Sequence, residues 1–430
     1  MPPLNTRPVW AEISRSRLLH NYRALCALAG PSITLIPVVK ADAYGHSVAL
    51  CAPWLAAEGA QWLCVTSVEE AIAVRALCPS PHILVLSGLW HNEADAILAH
   101  RLTPVVWEQF HLELLADAAR RASRPPQSVP IHLEIDTGMC RQGVAPGTHL
   151  APLLQILKGT PQLRLEAVMT HFFAPDELDS PTTQTQIRRF ATVLDTISAA
   201  GLHPQFLHAG NSTTLLTGLG LPALRTLAIR HQAQLMLRPG LALYGYQPAT
   251  TPSTSKDTTD DFSSSPKKDL SFRPKESHSD SVAEESAVSS PTLQPVLALK
   301  SRIVSLRKIA PGESAGYNAT FRATRPTRLA LLPLGYADGL SRQLSNQGHA
   351  LIQGQRAPIA GRISMDHTIL DVTHIPDAAI GDEAVLLGEQ NLPGQPPARI
   401  TAEDLATLCH TIPWEILTSI AARVPRIPAD

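Results

Sequence analysis

Lys40 is the residue whose type and position first suggest chemistry in this 430-residue sequence. It follows the apolar run 33–39, which predicts a buried parallel strand, and it precedes a turn that contains Gly45. A poorly solvated lysine at the mouth of a strand loses its charge more readily, and a neutral amine can attack an aldehyde. A solvated surface charge is the ordinary alternative, so the neighbouring motifs must decide between the two interpretations.

The elements around Lys40 alternate between short apolar runs and segments of helical periodicity, such as 68–77, 110–122 and 184–200. Eight strand–helix repeats predict an α/β fold with a closed (β/α)8 barrel of the TIM type, although an open doubly wound sheet uses the same local pattern. Polar residues follow several strands, as expected when a site lies at the carboxyl ends of barrel strands. The predicted strands are 33–39, 62–66, 83–86, 103–106, 131–136, 165–170, 206–208 and 235–244.

Two changes of composition divide the chain into three regions. The barrel is predicted over 11–245. Residues 250–294 contain 22 Ser, Thr or Pro residues among 45 and few apolar ones, which predicts a disordered polar insertion. The segment 295–430 has short, often alternating runs separated by Gly and Pro turns. This pattern predicts a mostly β C-terminal domain, with the N-terminal strand 1–10 packed on it.

Composition and charge argue against several classes of protein. The formal net charge of −1 provides no basic face for nucleic acid and no polybasic anchor for a membrane. No apolar stretch approaches the length of a transmembrane helix, and the N-terminus lacks the apolar core of a signal peptide. The six cysteines show no C-x-x-C pairing, which predicts reduced thiols in a cytoplasmic protein. The 17 histidines show no metal-ligand spacing, so no metal site is predicted.

Short motifs in a consistent order make the chain resemble the alanine racemases, pyridoxal-phosphate enzymes built from an eight-stranded barrel and a C-terminal β domain. In the predicted barrel the motifs are 38–46, 136–141, 169–172, 208–212 and 238–245. In the C-terminal domain they are 316–320, 335–339 and 361–366. Each motif is weak alone, but their order along the whole chain except the insertion is specific. The resemblance implies a homodimer that interconverts L- and D-alanine with pyridoxal 5'-phosphate and supplies D-alanine for peptidoglycan.

The resemblance assigns two residues to opposite faces of the substrate Cα. Lys40 resembles the lysine that holds the cofactor as an imine and then acts as one base. Tyr317 resembles the tyrosine that acts as the second base, which in the family comes from the other subunit. Arg238 resembles the arginine that faces the pyridine nitrogen, and His171 resembles the histidine that orients it. Because arginine stays protonated, the ring nitrogen should remain unprotonated, which makes the cofactor a weaker electron sink.

The resemblance also implies residues for the substrate carboxylate, the entrance and the phosphate. Arg141 and the backbone of Met365 match the groups that contact the substrate carboxylate. Tyr336 and Asp366 match residues that line the substrate entrance. Phosphate binding requires dense hydrogen-bond donors, which amides and hydroxyls provide without adding titratable charge. The matching phosphate positions are Tyr44, Ser212 and the amides of Gly240 and Leu241.

Two positions depart from the family pattern. Glu134 replaces a lysine whose carbamate, in many members, holds the arginine matched by Arg141, so a carboxylate that can hold Arg141 directly is already present here. Ala422 replaces a tyrosine that crowds the substrate side chain, which leaves a serine or broad-specificity racemase as an alternative. A barrel-type decarboxylase is a further alternative, but such enzymes pair the ring nitrogen with a carboxylate rather than with an arginine such as Arg238. A non-catalytic pyridoxal-phosphate-binding protein would resemble a lone barrel.

Overall fold

The computed structural model describes residues 7–147, 149–173, 181–247, 291–394 and 396–430, together with the short strands Glu177–Leu178 and Thr251–Pro252. Residues 253–290, which make up most of the insertion predicted at 250–294, lie outside the described residues. Within the described part of the chain, no helix has the length and apolar character that a bilayer crossing requires.

Eight parallel strands form a nearly closed barrel, which confirms the predicted fold class. The strand Ile33–Leu35 pairs with Gln234–Leu237 on one side. On its other side the ring closes just beyond the strand's end, where Val38 bridges to Cys64 of the strand Trp62–Val65. All residues of Trp62–Val65 are buried, as expected of a parallel strand covered on both faces. The remaining strands are His82–Val85, Thr103–Val106, Val129–Glu134, Leu163–Met169 and Phe206–His208.

Helices surround the barrel and bury their apolar faces against the strands. The helix Val68–Leu77 has the predicted bounds, because the side chain of Ser67 caps it by accepting a hydrogen bond from the amide of Glu70. The long helix Pro181–Ala199 buries an apolar stripe along one side. The other barrel helices are Arg15–Ala29, Val48–Ala57, Glu93–Ala99, Gln109–Arg121, Leu150–Gly159, Ser212–Thr217 and Leu221–Arg230.

The eighth barrel strand is shorter than the predicted 235–244. It spans Gln234–Leu237, after which the chain leaves the barrel and forms the short 3-10 helix Leu241–Tyr244. Pro239 has no N–H to donate to a sheet, which favours this exit. An apolar run looks alike in a buried strand and a buried helical turn, so periodicity could not separate the two. The turn matters for function because it brings the amide of Gly240 to the mouth of the barrel.

The second domain is built mainly from two sheets, in which every strand pair but one is antiparallel. The larger sheet has the spatial order Gln355–Pro358, His349–Ile352, Glu383–Gln390, Leu297–Arg302, Val9–Ile13 and Arg426–Pro428, with Ala398–Ile400 paired to Glu383–Gln390 outside this order. The smaller sheet contains Ser305–Ile309, Thr327–Leu332 and Thr368–Asp371. A hairpin joins Ser314–Ala315 and Phe321–Arg322.

The N-terminal strand Val9–Ile13 lies inside the larger sheet of the second domain. It runs antiparallel to Leu297–Arg302 and parallel to Arg426–Pro428, so the two ends of the chain meet. Residues 11–13, which the sequence assigns to the barrel, therefore belong to this sheet. The extended strand passes into the barrel only at Ser14, which caps the first barrel helix.

Two short helices complete the second domain. The capping-box pattern of Thr401 and Asp404 predicts a helix over 402–409, and the structure has Ala402–Cys409. It begins with a capping box, because Thr401 accepts from the amide of Asp404 at 3.1 Å while Asp404 accepts from the amide of Thr401 at 2.9 Å. The helix Pro413–Thr418 follows directly and reaches the barrel cavity.

Candidate active site

A cavity of about 630 Å³ opens at the carboxyl ends of the barrel strands. Its walls come from residues that end or follow strands, such as Glu134 and Arg238, which is where barrel enzymes place their active sites. The predicted barrel residues are distant in sequence, and the closed barrel brings them to one place. Those that line the cavity are Lys40, Tyr44, Arg141, His171, Ser212, Arg238, Gly240 and Leu241.

Lys40 begins a left-handed turn that is held by the helix Val68–Leu77. Residues Ala41 to Tyr44 all have positive φ angles, from 51° to 56°. This conformation costs L-residues roughly 1–2 kcal/mol each, so other contacts must maintain it. The carboxylate of Glu70 accepts hydrogen bonds from the amides of Ala41 at 2.7 Å and Thr66 at 2.8 Å. The position of Lys40 is therefore determined by the fold and not by its own side chain.

Hydroxyl and amide groups converge on one side of the cavity. Ser212 Oγ accepts hydrogen bonds from the amides of Gly240 at 3.0 Å and Ala242 at 3.2 Å. Burial raises the pKa of the Tyr44 phenol far above its usual value, so this hydroxyl stays protonated and can donate. A Cβ atom at position 240 would lie 2.6 Å from the Tyr44 hydroxyl oxygen, so glycine keeps this space open. Uncharged donors around an open space fit a phosphate group.

Arg238 is buried in the cavity wall and is surrounded by acceptors. Its guanidinium contacts Nδ1 of His208 at 2.6 Å and Nδ1 of His171 at 3.2 Å. It also donates to the carbonyl oxygens of Thr170 at 3.0 Å and Ala209 at 3.3 Å. Burial, followed by the charge of Arg238, lowers the pKa of His171 to about 3, so His171 is neutral and can accept from the arginine. Arg238 thus presents a positive charge in a fixed direction.

Glu134 binds Gln142 rather than Arg141. Its carboxylate accepts a hydrogen bond of 2.6 Å from Gln142, whose amide also donates to the carbonyl oxygen of Leu86 at 3.1 Å. Burial raises the pKa of Glu134 above its usual value, despite the Gln142 hydrogen bond and the charge of Arg238. The sequence suggests that this carboxylate holds Arg141 directly. In the structure it instead anchors the residue next to Arg141.

The predicted residues of the second domain do not line the cavity of their own chain. Among the described cavity residues, none is Tyr317, Tyr336, Met365 or Asp366. Their side chains are instead exposed: Tyr317 is 68% exposed, Tyr336 41% and Met365 53%. Asp366 is exposed as well. The residues identified from the sequence therefore fall into two groups. One group lines the cavity, and the other is exposed outside the cavity of the same chain.

The loops that carry these four exposed residues lie against one another. A Cβ atom on Gly335, which precedes Tyr336, would lie 2.5 Å from the carbonyl oxygen of Met365. A Cβ atom on Gly316, which precedes Tyr317, would lie 3.1 Å from the amide nitrogen of Arg362. Both glycines allow the backbones of the three loops to approach closely. The exposed residues that these loops carry, Tyr317, Tyr336, Met365 and Asp366, are called the loop cluster below.

Several cavity residues escaped prediction from the sequence, among them two from the second domain. Trp414 and Thr418 belong to the second-domain helix Pro413–Thr418 and form part of the cavity wall. Nothing in the local pattern separates them from residues of an ordinary surface helix, since a partly buried tryptophan is common there. Only the packing of the second domain against the barrel reveals their place.

Comparison with known proteins agrees with this fold. The family models "Alanine racemase, N-terminal domain" and "Alanine racemase, C-terminal domain" match residues 13–248 and 296–428. The alanine racemase of Sorangium cellulosum is 40% identical, over 98% of each chain. The solved alanine racemase from Streptomyces coelicolor has a TM-score of 0.79 at 31% identity, with 98% of each chain covered.

A second solved structure, the biosynthetic alanine racemase from Pseudomonas aeruginosa, has a TM-score of 0.75 at 29% identity. The match covers 99% of this chain and 100% of that one. Both domains, their order and the full length of the relatives are therefore matched, and the chain belongs to the alanine racemase family of isomerases.

Proposed function

We propose that the protein interconverts L- and D-alanine, with Lys40 of one subunit and Tyr317 of the partner subunit on opposite faces of the substrate Cα. The names of its relatives support alanine as the substrate. The observation that carries the two-subunit site is the separation of the two groups. Lys40 lines the barrel cavity, whereas Tyr317 is 68% exposed in the loop cluster of the second domain. A homodimer satisfies both facts when the loop cluster of one subunit covers the cavity of the other.

Pyridoxal phosphate, when bound, supplies an electron sink that makes the Cα proton of an amino acid acidic. The cavity has the groups that hold this cofactor. Lys40 would provide the amine for covalent attachment, while Tyr44, Ser212 and the amide of Gly240 would hold the phosphate. Arg238 would hold the ring nitrogen, and because arginine can only donate, that nitrogen would accept the hydrogen bond.

Different side chains transfer the proton and orient the substrate. Lys40 Nζ takes or returns the proton on one face of Cα, and Tyr317 Oη of the partner subunit handles the proton on the other face. The stereochemistry inverts because removal and return occur on opposite faces. Arg141 binds the substrate carboxylate with help from the backbone of Met365, which holds the reacting carbon between the two bases.

Substituting Gly240 with alanine should weaken cofactor binding while the protein stays folded. The added methyl group would displace the Tyr44 hydroxyl, which lies 2.6 Å from the position of the new Cβ. Loss of one hydrogen bond to a charged group lowers affinity by roughly 10- to 100-fold. Titration of the apo-protein with pyridoxal phosphate measures this change.

The matched control is Gly159→Ala, because a Cβ atom there meets nothing within 4 Å. It should leave cofactor affinity unchanged. Equal affinities of the two variants and the wild type would show that Gly240 and Tyr44 do not form the phosphate site.

Racemisation of alanine, serine and lysine by the purified protein tests the function directly, with chiral chromatography or optical rotation as the readout. We expect alanine to be converted. Cofactor binding without racemisation of any of the three would favour the non-catalytic alternative. Conversion feeds D-alanine into peptidoglycan synthesis in the cytoplasm, which is the physiological role that we propose.

A serine or broad-specificity racemase is the second candidate, because Ala422 is small and exposed where the family has a tyrosine. Ala422→Tyr restores that bulk. It should lower kcat/KM for serine relative to alanine by about tenfold, the scale of discrimination by a change in pocket volume. An unchanged ratio would show that the size of residue 422 does not set the specificity.

A further inference from the structure

A continuous chain of buried polar groups runs inside the barrel and ends at Arg238. Nη1 of Arg238 lies 2.6 Å from Nδ1 of His208, and Nε2 of His208 lies 3.0 Å from Nδ1 of His132. Nε2 of His132 in turn lies 3.2 Å from Oε2 of Glu166. Oε1 of Glu166 accepts a hydrogen bond of 2.7 Å from Arg164. Both histidines are fully buried, and Glu166 is only 4% exposed.

A β-bulge places Glu166 at the end of this chain. Ile131 pairs with Leu165, but the next residue, His132, pairs with Ala167, so Glu166 is an extra residue between two regular pairs. A bulge redirects a side chain that regular alternation would place on the other face of the strand. Burying a carboxylate is costly unless it is paired, and Glu166 is paired on both of its oxygens.

A single arrangement of protons satisfies these contacts. Arginine has donors and no acceptor, so His208 Nδ1, which faces Arg238, carries no proton. The proton of neutral His208 is then on Nε2 and is donated to His132 Nδ1. The same reasoning places the His132 proton on Nε2, from which it is donated to Glu166. Burial lowers the pKa of both histidines, which keeps them neutral.

The carboxylate at the end of the chain is ionised. Burial raises the pKa of Glu166, but the hydrogen bond from His132 and the charge of Arg164 outweigh this effect, and the net result is a pKa below its usual value. An ionised carboxylate has only acceptors, so it admits only the tautomer of His132 that donates from Nε2.

We propose that Glu166 is a positioning residue that, from the end of the chain opposite Arg238, holds His132 and His208 in these tautomers and so keeps Arg238 in its orientation. With the opposite tautomers, His208 would turn an N–H toward the N–H groups of Arg238, and the contact of 2.6 Å would be lost. The effect on the reaction rests on the proposed role of Arg238 at the cofactor ring nitrogen. The tautomers themselves are independent of that role.

Glu166→Gln tests this proposal because glutamine replaces one acceptor with a donor. Arg164 takes the remaining oxygen, so the new amide NH2 faces His132 Nε2 and favours the reversed tautomers. The matched control is Arg164→Gln, which alters the same end of the chain but keeps the carboxylate. Apo-protein labelled with ¹⁵N-histidine reports the tautomers, since protonated and unprotonated ring nitrogens differ in chemical shift. His132→Gln and His208→Gln assign the signals.

We expect protons on Nε2 of His132 and His208 in the wild type and in Arg164→Gln, and on Nδ1 of both in Glu166→Gln. Pyridoxal phosphate should bind Glu166→Gln about tenfold more weakly, as expected for the loss of one hydrogen bond of a charged donor, and Arg164→Gln within about twofold of the wild type.

A proton on Nδ1 of wild-type His208, or unchanged histidine shifts in Glu166→Gln, would overturn the proposal. Should Glu166→Gln fail to fold, His132→Leu interrupts the same chain of hydrogen bonds. Glu166 then no longer acts on the tautomer of His208, and the shifts of the His208 ring nitrogens should change. Unchanged His208 shifts in that variant would also overturn the proposal. A wild-type protein with the expected tautomers but without racemase activity would contradict the proposed function alone.

Discussion

Replacing Lys40 with alanine should abolish racemisation and the covalent attachment of the cofactor. Two other titratable residues of the cavity, His171 and Tyr44, are poorly suited to replace the amine. Burial and the charge of Arg238 lower the pKa of His171 to about 3, and burial keeps the Tyr44 phenol protonated. Loss of a general base alone costs roughly 10²- to 10⁴-fold, and lost covalent attachment adds to it, so we expect kcat/KM to fall by at least about 10⁴-fold.

The measurement combines a racemase assay with the absorbance of the covalently held cofactor. Lys158→Ala is the matched control, because Lys158 is exposed in the helix Leu150–Gly159. This variant should change neither the racemase activity nor the absorbance of the cofactor. Borohydride reduction followed by mass spectrometry identifies the attachment site. Cofactor still found bound covalently to the Lys40→Ala protein would exclude Lys40 from its role.

Tyr317→Phe should stop proton transfer on one face of Cα and leave cofactor binding intact. Tyr317 is 68% exposed in its own chain. The residue is therefore not part of a core, and loss of its hydroxyl should change stability by less than about 0.5 kcal/mol. Racemisation should fall roughly 10²- to 10⁴-fold, the contribution of one general acid–base group.

Exchange in deuterated water distinguishes the two faces. With Tyr317→Phe, the Cα proton of the enantiomer that faces Lys40 should still exchange, while that of the other enantiomer should not. The control Tyr336→Phe removes a hydroxyl from the neighbouring loop and should retain exchange from both enantiomers. Normal exchange from both in Tyr317→Phe would show that this residue is not the second base.

Mixed dimers test whether the two bases come from different subunits. Lys40→Ala and Tyr317→Phe dimers should each be inactive. After dissociation and random reassociation of equal amounts, half of the dimers are mixed, and each mixed dimer has one site with both native bases if the site is shared. Roughly a quarter of the wild-type activity should then return. No recovery, with mixed dimers demonstrated by mass spectrometry, would place both bases in the same subunit.

The sequence alone was sufficient for the architecture and for the eight predicted barrel residues that meet in the cavity. Strand-length apolar runs alternating with helical segments predicted the eight strand–helix repeats, and the helices at 68–77 and 402–409 have their predicted bounds. These features are local, because side-chain periodicity and capping residues act over a few positions in the chain. The positions after the strands were also predictable, since a barrel gathers the carboxyl ends of its strands at one face.

The contacts between distant parts of the chain were decided only by the tertiary structure. The link from Arg238 through His208 and His132 to Glu166 joins four segments, and a bulge with no visible sequence signal turns Glu166 inward. The placement of Trp414 at the cavity likewise depends on how the second domain packs on the barrel. Short-range patterns carry information about secondary structure and strand ends. Burial, hydrogen-bond partners and the exposure of Tyr317 depend on which surfaces meet, and no local pattern encodes that.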